Sequence, residues 1–89
     1  MASIRRIKRD IDYLTNEVLS DCYLFMYLFP EKQHEAAVAI IQDTAILRKN
    51  LKERAHNVEG KAKAHFRAIF EDLLQGVDDL FRRISELTK

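Results

Sequence analysis

In the last third of the chain Phe66, Phe70, Leu73, Val77, Leu80, Ile84 and Leu87 fall at alternating steps of four and three residues. That spacing holds all seven on one side of a helix, and Ile69, Leu74 and Phe81 widen the strip on its flanks. An isolated helix of this length is marginal in water, so the rest of the chain has to cover the strip. Two further segments carry the same period. Ile4, Ile7, Ile11, Leu14, Val18, Cys22, Phe25 and Phe29 form one, with Ser3 placed to cap its start. Ala37, Ile40, Thr44, Leu47, Leu51 and Ala55 form the other, a strip of smaller side chains.

The chain has few places to turn, since its only glycines are Gly60 and Gly76 and its one proline is Pro30. Proline bars the residue before it from helical geometry, which predicts that the first helix stops near Leu28. Pro30 then suits the first turn of a second helix, where its missing N–H is not needed. Asn57, Val58, Glu59 and Gly60 supply the other turn, with Asn57 as a cap for the third helix. The expected helices span about residues 4–28, 31–56 and 59–87. Joined by short turns, they give a single all-α domain, a three-helix antiparallel up-down-up bundle. In 89 residues the core is small, and self-association is expected to supplement it. Gly76 falls inside the third helix, at a cost of up to ~1 kcal/mol relative to alanine, and leaves room for a close helix contact.

A hydrophobic fraction of 47% beside 33% charged residues suits a soluble helical protein. The longest apolar run, Cys22 to Phe29, is far shorter than the roughly 20 residues of a membrane-spanning helix. One cysteine permits no internal disulfide, and the opening residues do not resemble a signal peptide. A cytoplasmic protein with no membrane association is expected.

Apolar residues exceed what one small core needs. On the first helix Tyr13, Tyr23, Leu24, Tyr27 and Leu28 lie off the inward strip, and on the second Val38, Ile41, Ala45 and Ile46 do the same. Pro30 joins the two helices, so both excesses fall toward one end of the bundle. Tyrosine-rich apolar patches are typical of interface centres. Tyr23, Leu24, Tyr27, Leu28, Val38, Ile41 and Ile46 are the expected interface residues. The partner is a second copy, closing as a twofold homodimer, or a different protein.

Charge is uneven in a different way. Folding the chain as a hairpin of helices gathers eleven basic residues against four acidic ones at the end where the chain begins, and leaves four basic against ten acidic at the Pro30 end. Arg5, Arg6, Lys61 and Lys63 open their helices, where the backbone dipole is already positive. With Arg9, Arg48, Lys52 and Arg67 they make a candidate site for phosphate or nucleic acid. The plainer reading pairs these cations with Asp10, Asp12, Glu53 and Glu59.

Residues of catalytic type do not assemble into a set. Glu31 and His34 have the Glu-x-x-His spacing of di-metal bundles, but such a site needs two of these elements and further glutamates. His56 and His65 flank the second turn without a third ligand, Cys22 sits on the apolar strip, and the acid pairs Glu71–Asp72 and Asp78–Asp79 read as a solvated face. No catalytic residue, metal or cofactor is expected. The opening Ile4-Arg5-Arg6-Ile7-Lys8-Arg9-Asp10-Ile11-Asp12-Tyr13-Leu14 resembles the first helix of the small all-helical chorismate mutases, which implies a three-helix dimer with enzymatic activity. The resemblance also implies a second substrate-binding arginine toward the end of that helix, where this chain reads Cys22-Tyr23-Leu24-Phe25-Met26-Tyr27. The general pattern is also similar to that of short bacterial helical proteins. The expected function is therefore a non-catalytic interaction or structural module that forms a homodimer through the helix 1 and helix 2 hairpin. Anion or nucleic-acid binding is the alternative, and a chorismate-mutase-like enzyme the remote one.

Overall fold

A computed structural model describes residues 4–89, so the expected Ser3 cap lies outside the described residues. Three helices, α1 (Ile4–Leu28), α2 (His34–His56) and α3 (Ala62–Leu87), all pack against one another. The bundle is a rod of 47 × 18 × 18 Å, its length set by helices of 23 to 26 residues rising about 1.5 Å each. The chain runs up, down and up, which brings the start of α1, the end of α2 and the start of α3 to one end.

The core follows the helical period in each segment. Ile7, Ile11, Val18, Cys22 and Phe25 of α1 meet Ala37, Ile40, Leu51 and Ala55 of α2 and the strip Phe66, Ile69, Leu73, Val77, Leu80, Ile84 and Leu87 of α3. The expected strips differ at several positions: Ile4 and Phe29, at the two ends of the first strip, are exposed, and Leu47 of α2 is only half-buried. Thr15 is fully buried while Leu14 is only half-buried, and Ile69 is fully buried while Phe70 stands at the edge. Residues 11, 15, 18, 22 and 25 also follow four-three spacing, so α1 is rotated slightly toward its threonine. Burial of a hydroxyl is tolerable only when it is bonded. Thr15 Oγ1 donates to the Ile11 carbonyl at 2.7 Å, and buried Thr44 Oγ1 donates to Ile40 at 2.7 Å, each satisfied by its own helix.

Both turns are longer than the sequence predicts. Pro30 lies in a turn before α2, not in its first helical turn: the Lys32 N–H bonds the Phe29 carbonyl at 3.1 Å, and proline suits the second position of such a turn. Gln33 follows in the left-handed region, with φ 51° and ψ 39°, so α2 begins at His34 and not at residue 31. At the far end Asn57 caps α2 and not α3. Its backbone N–H bonds Glu53 and Arg54, and its side-chain Nδ2 donates to the Glu53 carbonyl at 2.9 Å. Gly60 turns the chain with φ 68°, and Lys61 precedes α3, which therefore begins at Ala62 and not near residue 59.

Side chains fix the three helices in register. Cys22 Sγ lies 3.2 Å from the Ala37 carbonyl, and Asp12 receives Arg48 and Lys52, so α1 and α2 are paired along much of their length. Ion pairs of 2.7 Å from Arg54 to Asp72 and from Arg83 to Asp43 join α2 to α3. No helix among the described residues is long and apolar enough to cross a membrane.

Candidate interaction surface

The helix contacts define which side of each helix is free. On α1, Asp12 marks the flank that meets α2, and Ile11, Val18 and Cys22 mark the core. At about 100° per residue, the outermost line of α1 passes through Arg9, Tyr13, Ser20 and Tyr27. These four are exposed, Tyr27 to 82% and Tyr13 to 64%. Tyr23 (56%) lies beside this line on the flank toward α2, and Leu24 (55%) and Leu28 (56%) on the flank toward α3. The outer face of α1 thus carries five large apolar or aromatic side chains that the bundle leaves uncovered.

The α2 residues divide. Cys22 meets Ala37, which sets Tyr23 and Val38 at one height, and both turn toward the groove between α1 and α2. Val38 and Ile41 are half-buried there, and Ile41 packs on the core. Ile46 is exposed, but it precedes Arg48 by two residues and so lies about 160° around the helix from the side that meets α1. The structure therefore leaves Tyr23, Leu24, Tyr27 and Leu28 exposed on the outer half of α1, with Val38 and Ile41 beside Tyr23, and puts Ile46 on a separate face. Farther along the same groove, Leu19, Thr44, Ala45, Arg48, Lys49 and Lys52 line an open depression of about 280 Å³.

The basic end is also resolved residue by residue. Arg48 Nη2 and Lys52 Nζ converge on Asp12 Oδ1 at 2.7 and 2.6 Å. Lys52's contact first and Arg48's charge with it hold the Asp12 carboxyl below the usual carboxylate range, against the opposing effect of its partial burial. These two cations are engaged, as the plainer charge reading expected. Arg5, Arg9, Lys61, Lys63 and Arg67 make no ion pair among the described residues.

Titratable groups elsewhere serve the fold. Cys22 is fully buried and burial pushes its thiol pKa up, which disfavours the reactive thiolate. His65 Nε2 lies 2.6 Å from the Arg54 carbonyl, an acceptor only, so this nitrogen donates and ties α3 to the last turn of α2. Spacing gave no hint of that contact. Glu31 sits in the turn and His34 opens α2, and no group of three or more potential metal ligands occurs among the described residues. Compared with protein families, curated proteins and solved structures, the chain has no significant match.

Proposed function

We propose that this protein is a non-catalytic interaction module that self-associates as a homodimer through the outer face of α1 and the adjoining edge of α2. The observation that carries the reading is the exposure of Tyr13, Tyr23, Leu24, Tyr27 and Leu28 on one helix face, flanked by half-buried Val38 and Ile41. Scattered apolar side chains are normal on a protein surface, whereas a contiguous group rich in tyrosine is the composition of an interface centre. Light scattering on a sizing column, at low and high salt, tests it. A dimer at both salts is expected for the wild type, a monomer for Tyr23→Glu/Tyr27→Glu, and an unchanged dimer for Ile46→Glu on its separate face. A wild-type monomer at millimolar concentration removes the reading.

A second reading, binding of phosphate groups or nucleic acid at the basic end, is favoured by one observation. Arg5, Arg9, Lys61, Lys63 and Arg67 remain without intramolecular ion pairs among the described residues, and α1 and α3 both begin nearby. Fluorescence anisotropy with labelled single- and double-stranded DNA is expected to show binding that falls steeply with salt and is lost in Lys61→Glu/Arg67→Glu. No binding at low salt removes this second reading.

A further inference from the structure

Resting on the self-association reading above, we infer that the two copies pack antiparallel, α1 against α1, with the twofold axis passing beside Ser20. The outer line of α1 repeats every seven residues through Tyr13, Ser20 and Tyr27, and Asn16 and Tyr23 complete a four-three ladder from Arg9 to Tyr27. This is the period of a helix-helix seam, here on the side of α1 turned away from its own bundle. The residue at the middle of the ladder is small and exposed, while the large aromatic residues stand seven residues to either side.

A twofold axis at Ser20 has definite consequences. It sets Tyr13 of each copy against Tyr27 of the other, a pair of rings on either side of a close crossing. Asn16 comes beside Tyr23 of the other copy, whose hydroxyl can donate to the amide oxygen, and Glu17 beside Leu24, because antiparallel packing keeps each flank on its own side of the seam. Farther out, Arg9 near the basic start of α1 comes against the turn that follows α1 in the other copy, which carries Glu31. Arg9 and Glu31 are exposed, and neither takes part in an ion pair among the described residues. Lys8 lies about 120° around the helix from Ser20 and so off the seam.

Charge selects this arrangement over the parallel one. The bundle is basic at the end where α1 begins and acidic near the Pro30 turn, so parallel packing sets Arg9 near Arg9 and Glu31 near Glu31. Antiparallel packing sets each basic end on the partner's acidic end, the complementarity that fixes orientation in protein pairs.

Two experiments separate this geometry from self-association itself. In a Cys22→Ser background, Ser20→Cys treated with diamide is expected to give a disulfide-linked dimer on a non-reducing gel. Tyr13→Cys and Tyr27→Cys should each cross-link poorly alone and efficiently when mixed. Independently, Arg9→Glu and Glu31→Arg should each weaken dimerisation about tenfold, and the double variant should restore it. A dimer in which Tyr27→Cys cross-links alone and Ser20→Cys does not overturns the antiparallel register while leaving self-association standing. A wild-type monomer overturns both.

Discussion

A Cβ added at Gly76 would lie 2.8 Å from Cδ2 and 3.0 Å from Cδ1 of Leu47, so the glycine on α3 is the seat of a leucine from α2. Two effects of similar size oppose each other at this position. Alanine would improve helix propensity by up to ~1 kcal/mol, and the leucine methyls would have to move to admit it. Leu47 is half-buried, and the crowded atoms are the far end of its side chain, so the displacement is small. Gly76→Ala is therefore expected to change stability by less than about 1 kcal/mol in urea melts. Once Leu47→Ala has emptied the site, the same substitution should stabilise by the full propensity gain, on the order of 1 kcal/mol. Equal effects in both backgrounds would show that the two residues do not touch.

Asp12 gives the stability of the bundle a pH dependence of known sign. Lys52 and Arg48 hold its folded pKa below the ordinary value, so the carboxylate stabilises the fold above the unfolded pKa, near 4. That contribution is lost as pH falls through the folded value. The Asp12 side chain is 37% exposed, so solvent screening limits the effect to about 1 kcal/mol or less. Asp12→Asn should be less stable than wild type at pH 7 and should approach it as the pH falls through the lowered folded value, as followed by urea unfolding at each pH.

The bundle was legible because period survives small errors of rotation. Leu14 and Thr15 are adjacent, and either continues a four-three ladder from Ile11 to Val18. Hydrophobicity favoured Leu14, whereas packing chose Thr15, whose hydroxyl is satisfied inside its own helix and so carries little burial penalty. The exposed group on α1 was legible for the same reason, since Tyr23, Leu24, Tyr27 and Leu28 cannot all join one core strip. Ile46 was harder to place. Hydropathy marks it as surplus, but its direction depends on which flank of α2 meets α1, and only the Asp12, Arg48 and Lys52 contacts establish that. The turns were least legible because Gln33 in left-handed geometry and His65 on the Arg54 carbonyl are tertiary contacts without a local signature.

Cys22 reports on opening of the α1–α2 interface. Its thiol is fully buried and donates toward the Ala37 carbonyl, and burial raises its pKa. The native protein is expected to react with a disulfide reagent at least about a hundredfold more slowly than the urea-unfolded chain, because reaction requires an opening that costs several kcal/mol. Rapid native reaction at pH 7, measured by thionitrobenzoate release, would mean that the hairpin end opens far more readily than this packing allows.

Gln33 and Leu87 close the Pro30 end of the bundle. The Leu87 carbonyl is among the last of α3, which lack helical partners, and Gln33 Nε2 donates to it at 3.3 Å. Gln33 makes this contact from left-handed geometry that costs a non-glycine residue roughly 1 kcal/mol. Two substitutions separate the bond from the backbone. Gln33→Ala loses the bond and keeps the strain, for an expected loss of about 1 kcal/mol in urea melts. Gln33→Gly loses the same bond but relieves the strain, and should be the more stable of the two by a similar amount. If alanine and glycine proved equally destabilising, the left-handed turn would not be what starts α2 at His34. If neither lost stability, the bond to Leu87 would not contribute to joining the hairpin to the end of α3.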